Sequence, residues 1–193
     1  MKPYIMSIAA LPLVVGCLGT APKAPRCWTV HRICPAAESA AETPPDAPSA
    51  KLLQLEVLAP YNGARLAVLR GDGSVAFDSF NAFAAQPASV LKGAAFDVLE
   101  GCGAFSRVVR PGSSAAADVD LEVSVTRLAL DCRAEGRCEA TVALSIAAVC
   151  RRRTVSAARG EASCPVEGGD LTAAFSKAFE EAALRAVGGL KVR

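Results

Sequence analysis

Apolar and polar residues alternate over much of the chain, and twice the spacing changes to that of a helix. Val119, Leu121, Val123 and Val125 alternate with Asp120, Glu122 and Ser124, after which the apolar phase moves to Leu128, Leu130 and Cys132. Period-two alternation marks a half-buried strand, and a one-residue shift of phase within it predicts a β-bulge near Thr126-Arg127. A return strand follows, with Cys138, Ala140, Val142, Leu144, Ile146, Ala148 and Cys150 on one face, and residues 155–162 predict a third strand of the same meander. Upstream, Leu53, Leu55 and Val57 alternate with Gln54 and Glu56 until Pro60 stops the strand. The runs 65–70 and 74–77 flank Gly71-Asp72-Gly73, and Asp-Gly between two such runs predicts a tight hairpin, because the turn needs positive φ. Residues 105–109 predict one more short strand, ended by Arg110-Pro111-Gly112.

Val90, Leu91, Ala94, Ala95, Val98 and Leu99 recur at helical spacing, with Pro87 and Ser89 at the entrance and Gly101 at the exit. Residues 81–87 read as the loop leading into this helix, with Phe80 and Phe83 beside it. Near the C-terminus Leu171, Ala174, Phe175, Ala178, Phe179, Ala182, Ala183, Ala186, Val187 and Leu190 form an apolar stripe. Asp170 is placed to cap that helix, Gly188-Gly189 to end it, and Glu181 and Arg185 to pair at i,i+4 on its polar side. Strands, helix, strands, helix is the order of an α+β fold: one antiparallel or mixed sheet with two helices packed on one face.

Ahead of this domain, Lys2 is followed by an apolar run, 5–15, that ends in Leu13-Val14-Val15-Gly16-Cys17. The run is shorter than the roughly 20 residues that span a bilayer, and it has the parts of a secretory signal. A cysteine after Val-Val-Gly resembles a bacterial lipobox. The expected organisation is a signal peptide at 1–16, an N-terminal segment at 17–50 anchored through lipidated Cys17, and a domain at 51–193. Within the segment, Cys27-Trp28-Thr29-Val30-His31-Arg32-Ile33-Cys34 reads as a short strand bracketed by cysteines, and 35–50 as a Pro- and Ala-rich linker. A diacylglycerol with an amide-linked acyl chain anchors stably, where one chain alone does not.

The charge is nearly balanced, with 21 basic residues against 19 acidic ones, so no broad basic field points to nucleic acid. The cluster Arg151-Arg152-Arg153 fits a solvated hairpin turn. Eight cysteines suit an oxidising compartment. Lipidation of Cys17 leaves seven, an odd number, so at least one stays out of an intramolecular pair. Cys132 and Cys138 flank a five-residue loop; if they face each other, Leu130 meets Ala140 and Leu128 meets Val142, and every apolar residue falls on one face. Cys132–Cys138 is therefore the first expected disulfide and Cys27–Cys34 the second. A turn near Arg152-Arg153 sets Cys164 opposite about residue 141, far from Cys150, so Cys102, Cys150 and Cys164 have no assigned partner.

No catalytic constellation, cofactor or metal site is expected. The single histidine, His31, has no evident nucleophile beside it, and no Cys-x-x-Cys pair occurs, so the zinc and dithiol redox patterns are missing. Ser113-Ser114 lies outside any G-x-S-x-G elbow. Gly71-x-Gly73 lacks the helix and the Lys-Ser/Thr of a phosphate loop. Asp118, Asp120 and Glu122 share one strand face, which reads as solvated surface ahead of a cation site.

The layout resembles the ABC-type transport auxiliary lipoproteins, periplasmic partners of MCE-type lipid transport systems. The resemblance runs from the lipobox at Cys17 through the aromatic strand Cys27-Trp28-Thr29-Val30 and the strand Leu55-Glu56-Val57-Leu58-Ala59-Pro60. It continues through the hairpin with Arg70, the stretch Phe83-Ala84-Ala85-Gln86-Pro87, and then the helix, short strand, meander and last helix. It departs in having Phe80 or Phe83 where the family has a loop Trp, and in its many cysteines. What it implies is a non-enzymatic lipoprotein, tethered in the periplasm, that docks on an MCE-domain protein or ABC permease complex. No Asp follows Cys17, which favours the outer membrane. Phe80, Phe83, Gln86 and Pro87 form the first candidate contact surface, because exposed aromatics favour interfaces; the other placement for Phe77, Phe80 and Phe83 is the core. A structural lipoprotein that assembles with itself, with no transport role, is the competing reading. Transporter genes beside this one would favour the first.

Overall fold

The computed structural model describes residues 26–30, 43–134 and 136–192. Cys17, Cys34, His31, the signal segment and the first half of the linker lie outside the described residues.

The sheet is built around β6 (Val119–Asp131). Along one edge of β6 runs β7 (Glu139–Cys150), antiparallel. Along the other, β2 (Ser49–Val57) and β3 (Arg65–Leu69) follow each other in line, both parallel to β6. The chain leaves that edge after Val57, where the Leu58 N–H donates to the Val125 carbonyl at 2.9 Å, and rejoins it at Ala67 opposite Ala129. Opposite this gap β6 shifts register between Val125 and Arg127, the bulge that the change of apolar phase predicts. Outside β3 lies β4 (Val75–Phe83), antiparallel, and outside β4 lies β1 (Arg26–Trp28), parallel. Outside β2 lies β5 (Arg107–Val109), and outside β7 lies β8 (Arg153–Pro165). The eight strands form one mixed sheet of an α+β fold.

Two helices cover one face. α1 (Pro87–Gly101) packs on β2 and β5, α2 (Leu171–Gly189) on β7 and β8, and the helices touch each other. The predicted inward positions Leu121, Val123, Val125, Leu128, Ala140, Val142, Leu144, Ile146 and Ala148 are all buried beneath them. Each large apolar side chain removed from water contributes about 1.5–3 kcal/mol. Asp170 caps α2, accepting from the Ala173 N–H at 2.9 Å, and Arg185 reaches Glu181 at 3.2 Å.

Leu128 faces Val142 and Leu130 faces Ala140, and Cys132 is joined to Cys138 with Cα atoms 4.3 Å apart. The double replacement Cys132→Ser/Cys138→Ser is expected to lower stability by about 2 kcal/mol, the closure entropy of so short a loop. Urea unfolding without reductant measures this, and reductant should move the wild type by the same amount.

Five local expectations are corrected. Strand β2 begins at Ser49, inside the stretch read as linker. The strand expected over 105–109 is ordered only from Arg107 to Val109, and the one expected over 155–162 extends to 153–165. The turn between β7 and β8 sits on Arg151-Arg152, one residue earlier than expected, with φ of 48° and 64°. Two consecutive left-handed residues form the turn that matches sheet twist, normally an Asn-Gly task, so the arginines gave no sign of it. Cys164 consequently lies opposite Ala140, still far from Cys150, which faces Arg153. Finally, 81–87 is not all loop: β4 continues to Phe83.

Candidate functional site

The reason β4 continues is Asp78. Between Phe77, opposite Ala67, and Ala82, opposite Arg65, β4 has four residues where β3 has one. Asp78 folds this excess into a compact turn. Its Oδ1 accepts from the backbone N–H groups of Phe80 at 2.6 Å and Asn81 at 3.1 Å, and its Oδ2 accepts from the Asn81 side-chain amide at 2.8 Å. The Asn81 Oδ1 in turn accepts from the Trp28 indole at 2.9 Å. A carboxylate only accepts and an indole N–H only donates, so the Asn81 amide has one possible orientation. Beyond the turn, the Ala84 N–H donates to the Trp28 carbonyl and the Phe83 N–H to the Ala64 carbonyl, both at 2.7 Å. The turn therefore locks β1 to the sheet edge through Trp28 and displays Phe80 at its tip, 55% exposed.

Of the four residues expected to form a contact surface, the structure leaves only two at the surface. Phe80 and Gln86 are exposed. Phe83 is 4% exposed and packs edge-on against Phe175, ring centroids 5.8 Å apart, and Pro87 is buried at the start of α1. Phe77 and Val75, by contrast, are 45% and 37% exposed on the same strand as Phe80. The exposed apolar surface is therefore a strand edge and a bulge, not a loop. Its sequence signal was Asp78 three residues ahead of Asn81, an Asx turn inside an apolar run.

Burial pushes the Asp78 carboxyl up, but the Asn81 amide and the two backbone donors outweigh it and hold the group below the usual aspartate range. A depressed native value stabilises the fold above the unfolded group's titration, and this contribution is lost as pH falls through the native value. Asp78→Ala is expected to cost about 1 kcal/mol near neutral pH, reduced from the usual charged hydrogen-bond figure by water at this partly open site. The difference from wild type in urea unfolding should shrink as the pH falls through the native value of this carboxyl.

The remaining candidates are held in structural contacts. Asp118 precedes β6, and its Oδ2 accepts from the Ser49 N–H at 2.7 Å and the Ser49 hydroxyl at 2.6 Å, tying the start of β2 to β6. Those bonds, the hydroxyl first, lower its carboxyl below the ordinary range. Among the described residues no three His, Cys, Asp or Glu side chains come together as a metal site. Cys164 is buried, and desolvation, helped by Glu181 with its Oε1 4.0 Å from the sulfur, raises the thiol and keeps it protonated. Cys102 donates its thiol to the Leu99 carbonyl at 3.1 Å. Cys27 is exposed and bonded to no described cysteine; its expected partner, Cys34, lies outside the described residues. An open cleft of about 1180 Å³ at one end of the sheet is lined by Asp118, Asp120, Cys150, Arg151 and Lys191, a mixed set without a nucleophile and base in contact. No described helix is long and apolar enough to cross a membrane.

A mixed sheet with two helices on one face defines the class of fold. That fold is similar to the crystal structure of XCC0632 from Xanthomonas campestris, of family DUF330, with a TM-score of 0.57 and 20% identity over 84% of this chain and 86% of that one. It is also similar to the crystal structure of an uncharacterised protein, with a TM-score of 0.53 and 12% identity over 77% of this chain and 92% of that one. At these identities the likeness is one of fold. No family model matches the sequence, and no curated protein matches it.

Proposed function

We propose that the chain is a non-enzymatic lipoprotein, anchored through Cys17 in the periplasm, on the outer membrane, and that it serves as an auxiliary component of an ABC/MCE-type lipid transport system. The observation that carries this reading is the lipobox Leu13-Val14-Val15-Gly16-Cys17, nine residues ahead of a strand that docks on the edge of a complete domain. The order of elements after it, the one that resembles the auxiliary lipoproteins, adds the transport role. An MCE-domain protein or ABC permease complex is then the partner, and the chain supplies binding surface instead of chemistry. Deleting the gene tests this: transfer of labelled phospholipid between the two membranes should slow, and Cys17→Ala should fail to restore it. Unchanged transfer in the deletion strain would sink the transport role.

The second reading, a structural lipoprotein that assembles with itself, draws on one feature. Strand β8 pairs only with β7 among the described residues, so its outer edge is open to another strand. Self-association that depends on β8, with transfer unaffected, would favour it.

A further inference from the structure

We propose that the β1–β4 edge rests on the membrane itself, with Phe80 and Phe77 inserted at the boundary between head groups and acyl chains. The inference depends on Cys17 being the anchor, as proposed above, and asks which side of the domain then meets the bilayer.

The tether decides it. Cys17 is nine residues ahead of Arg26, where β1 begins. An extended chain covers at most about 3.5 Å per residue, so β1 stays within about 30 Å of the anchored residue. A domain of roughly 150 residues is about 40 Å across. The tether is too short to reach around the fold, so β1 cannot point away from the bilayer. β1 is itself held in place, by its pairing with residues 81–83 and by the Trp28–Asn81–Asp78 hydrogen bonds.

The side so presented has the chemistry of a membrane contact. Val75, Phe77 and Phe80 are all exposed on β4, whose residues 81–83 pair with β1. Val75 and Phe77 lie opposite Leu69 and Ala67, on one face of the hairpin. Arg26 pairs with Asn81 and Arg65 with Ala82, so an exposed arginine lies on each strand flanking the Phe80 turn, one toward either face of the sheet, as a source of charge for anionic head groups. The nearby acids are already engaged: Asp78 by its three donors, and Asp72 by the Ser74 N–H at 2.8 Å. Aromatic side chains ringed by basic ones are the usual composition of an interfacial contact. The other large exposed apolar residues are Leu53 and Leu58, on and just after β2, Val155 on β8 and Leu184 on α2, none of them on an element that pairs with β1.

The only tryptophan of the chain reports on this edge, since Trp28 bonds directly to the residue after Phe80. The full acylated chain is reconstituted in vesicles of phosphatidylethanolamine and phosphatidylglycerol, with and without bromine on the acyl chains. Bromine should quench Trp28 emission about two-fold in the wild type, as for an indole at the interface. Phe77→Asp/Phe80→Asp should abolish the quenching, while Leu184→Asp on α2 should leave it unchanged. Both replaced side chains are exposed, so equal urea midpoints establish that the variants fold. Mass spectrometry of the N-terminus reads acylation separately. An acylated wild type without quenching, or quenching that persists in the double variant, overturns the proposal and leaves the anchor standing. An unacylated chain overturns the anchor, and unless that chain is still quenched the edge contact falls with it. Unquenched vesicles combined with loss of a co-purifying protein in the double variant would assign the edge to a protein instead.

Discussion

Gly160→Val is expected to lower the unfolding free energy by about 3–5 kcal/mol, a third or more of what holds a typical domain together. Gly160 lies on β8 opposite Leu144, on the helix-bearing face, and is buried. A Cβ at this position would stand 1.8 Å from the Ala182 carbonyl oxygen and 2.8 Å from the Ala186 nitrogen. Both are backbone atoms of α2, which no side-chain rotation can move aside. α2 meets the sheet here through Ala178, Ala182 and Ala186, all fully buried, so helix and strand approach with almost nothing between them. Any side chain at 160 lifts the helix and opens gaps beside Phe175 and Phe179, two of the largest fully buried side chains. Gly93 is the control. It is exposed within α1, with nothing within 4 Å of an added Cβ, so Gly93→Ala should raise stability by about 0.5–1 kcal/mol through helix propensity. Urea unfolding of the three proteins measures both effects; a Gly160→Val midpoint near that of the wild type would mean that α2 does not sit on β8 as described.

The largest functional effect is expected from Cys17→Ala. Without the thiol no diacylglycerol can be attached. Two or more acyl chains bury many methylene groups at about 0.8 kcal/mol each, so their loss removes the whole anchoring energy. The variant should keep residues 1–16, incorporate no labelled fatty acid, and fall about ten-fold or more in the outer-membrane fraction. Intact mass and density fractionation read these outcomes independently. A variant with the same N-terminus and the same fraction as the wild type would show that Cys17 plays no part in localisation.

Features set by neighbours in sequence were legible in it. The bulge after Val125 appears as a slip in a period-two pattern, and the Cys132–Cys138 pair follows from the register that sets Leu128 opposite Val142 and Leu130 opposite Ala140. Asp170 as a cap needs only the residues after it. The glycine that lets α2 onto the sheet was not legible, because Gly160 interrupts a strand pattern and its partner, Ala182, belongs to another element. Nor was the placement of β2 and β3 end to end along β6, since parallel pairing between distant segments leaves no local trace. The candidate site was half legible. Its aromatic residues stood out, but alternation cannot separate Phe83, which turns inward to Phe175, from Phe80, which the Asp78 turn carries outward.

The account as a whole rests on a lipoprotein working beside a transporter. Its most direct test is co-purification of the lipidated chain from gently solubilised membranes, with the bound proteins and lipids identified by mass spectrometry. Recovery with an MCE-domain protein or an ABC permease is the predicted result. Recovery with itself alone, or with outer-membrane proteins unrelated to transport, would contradict it.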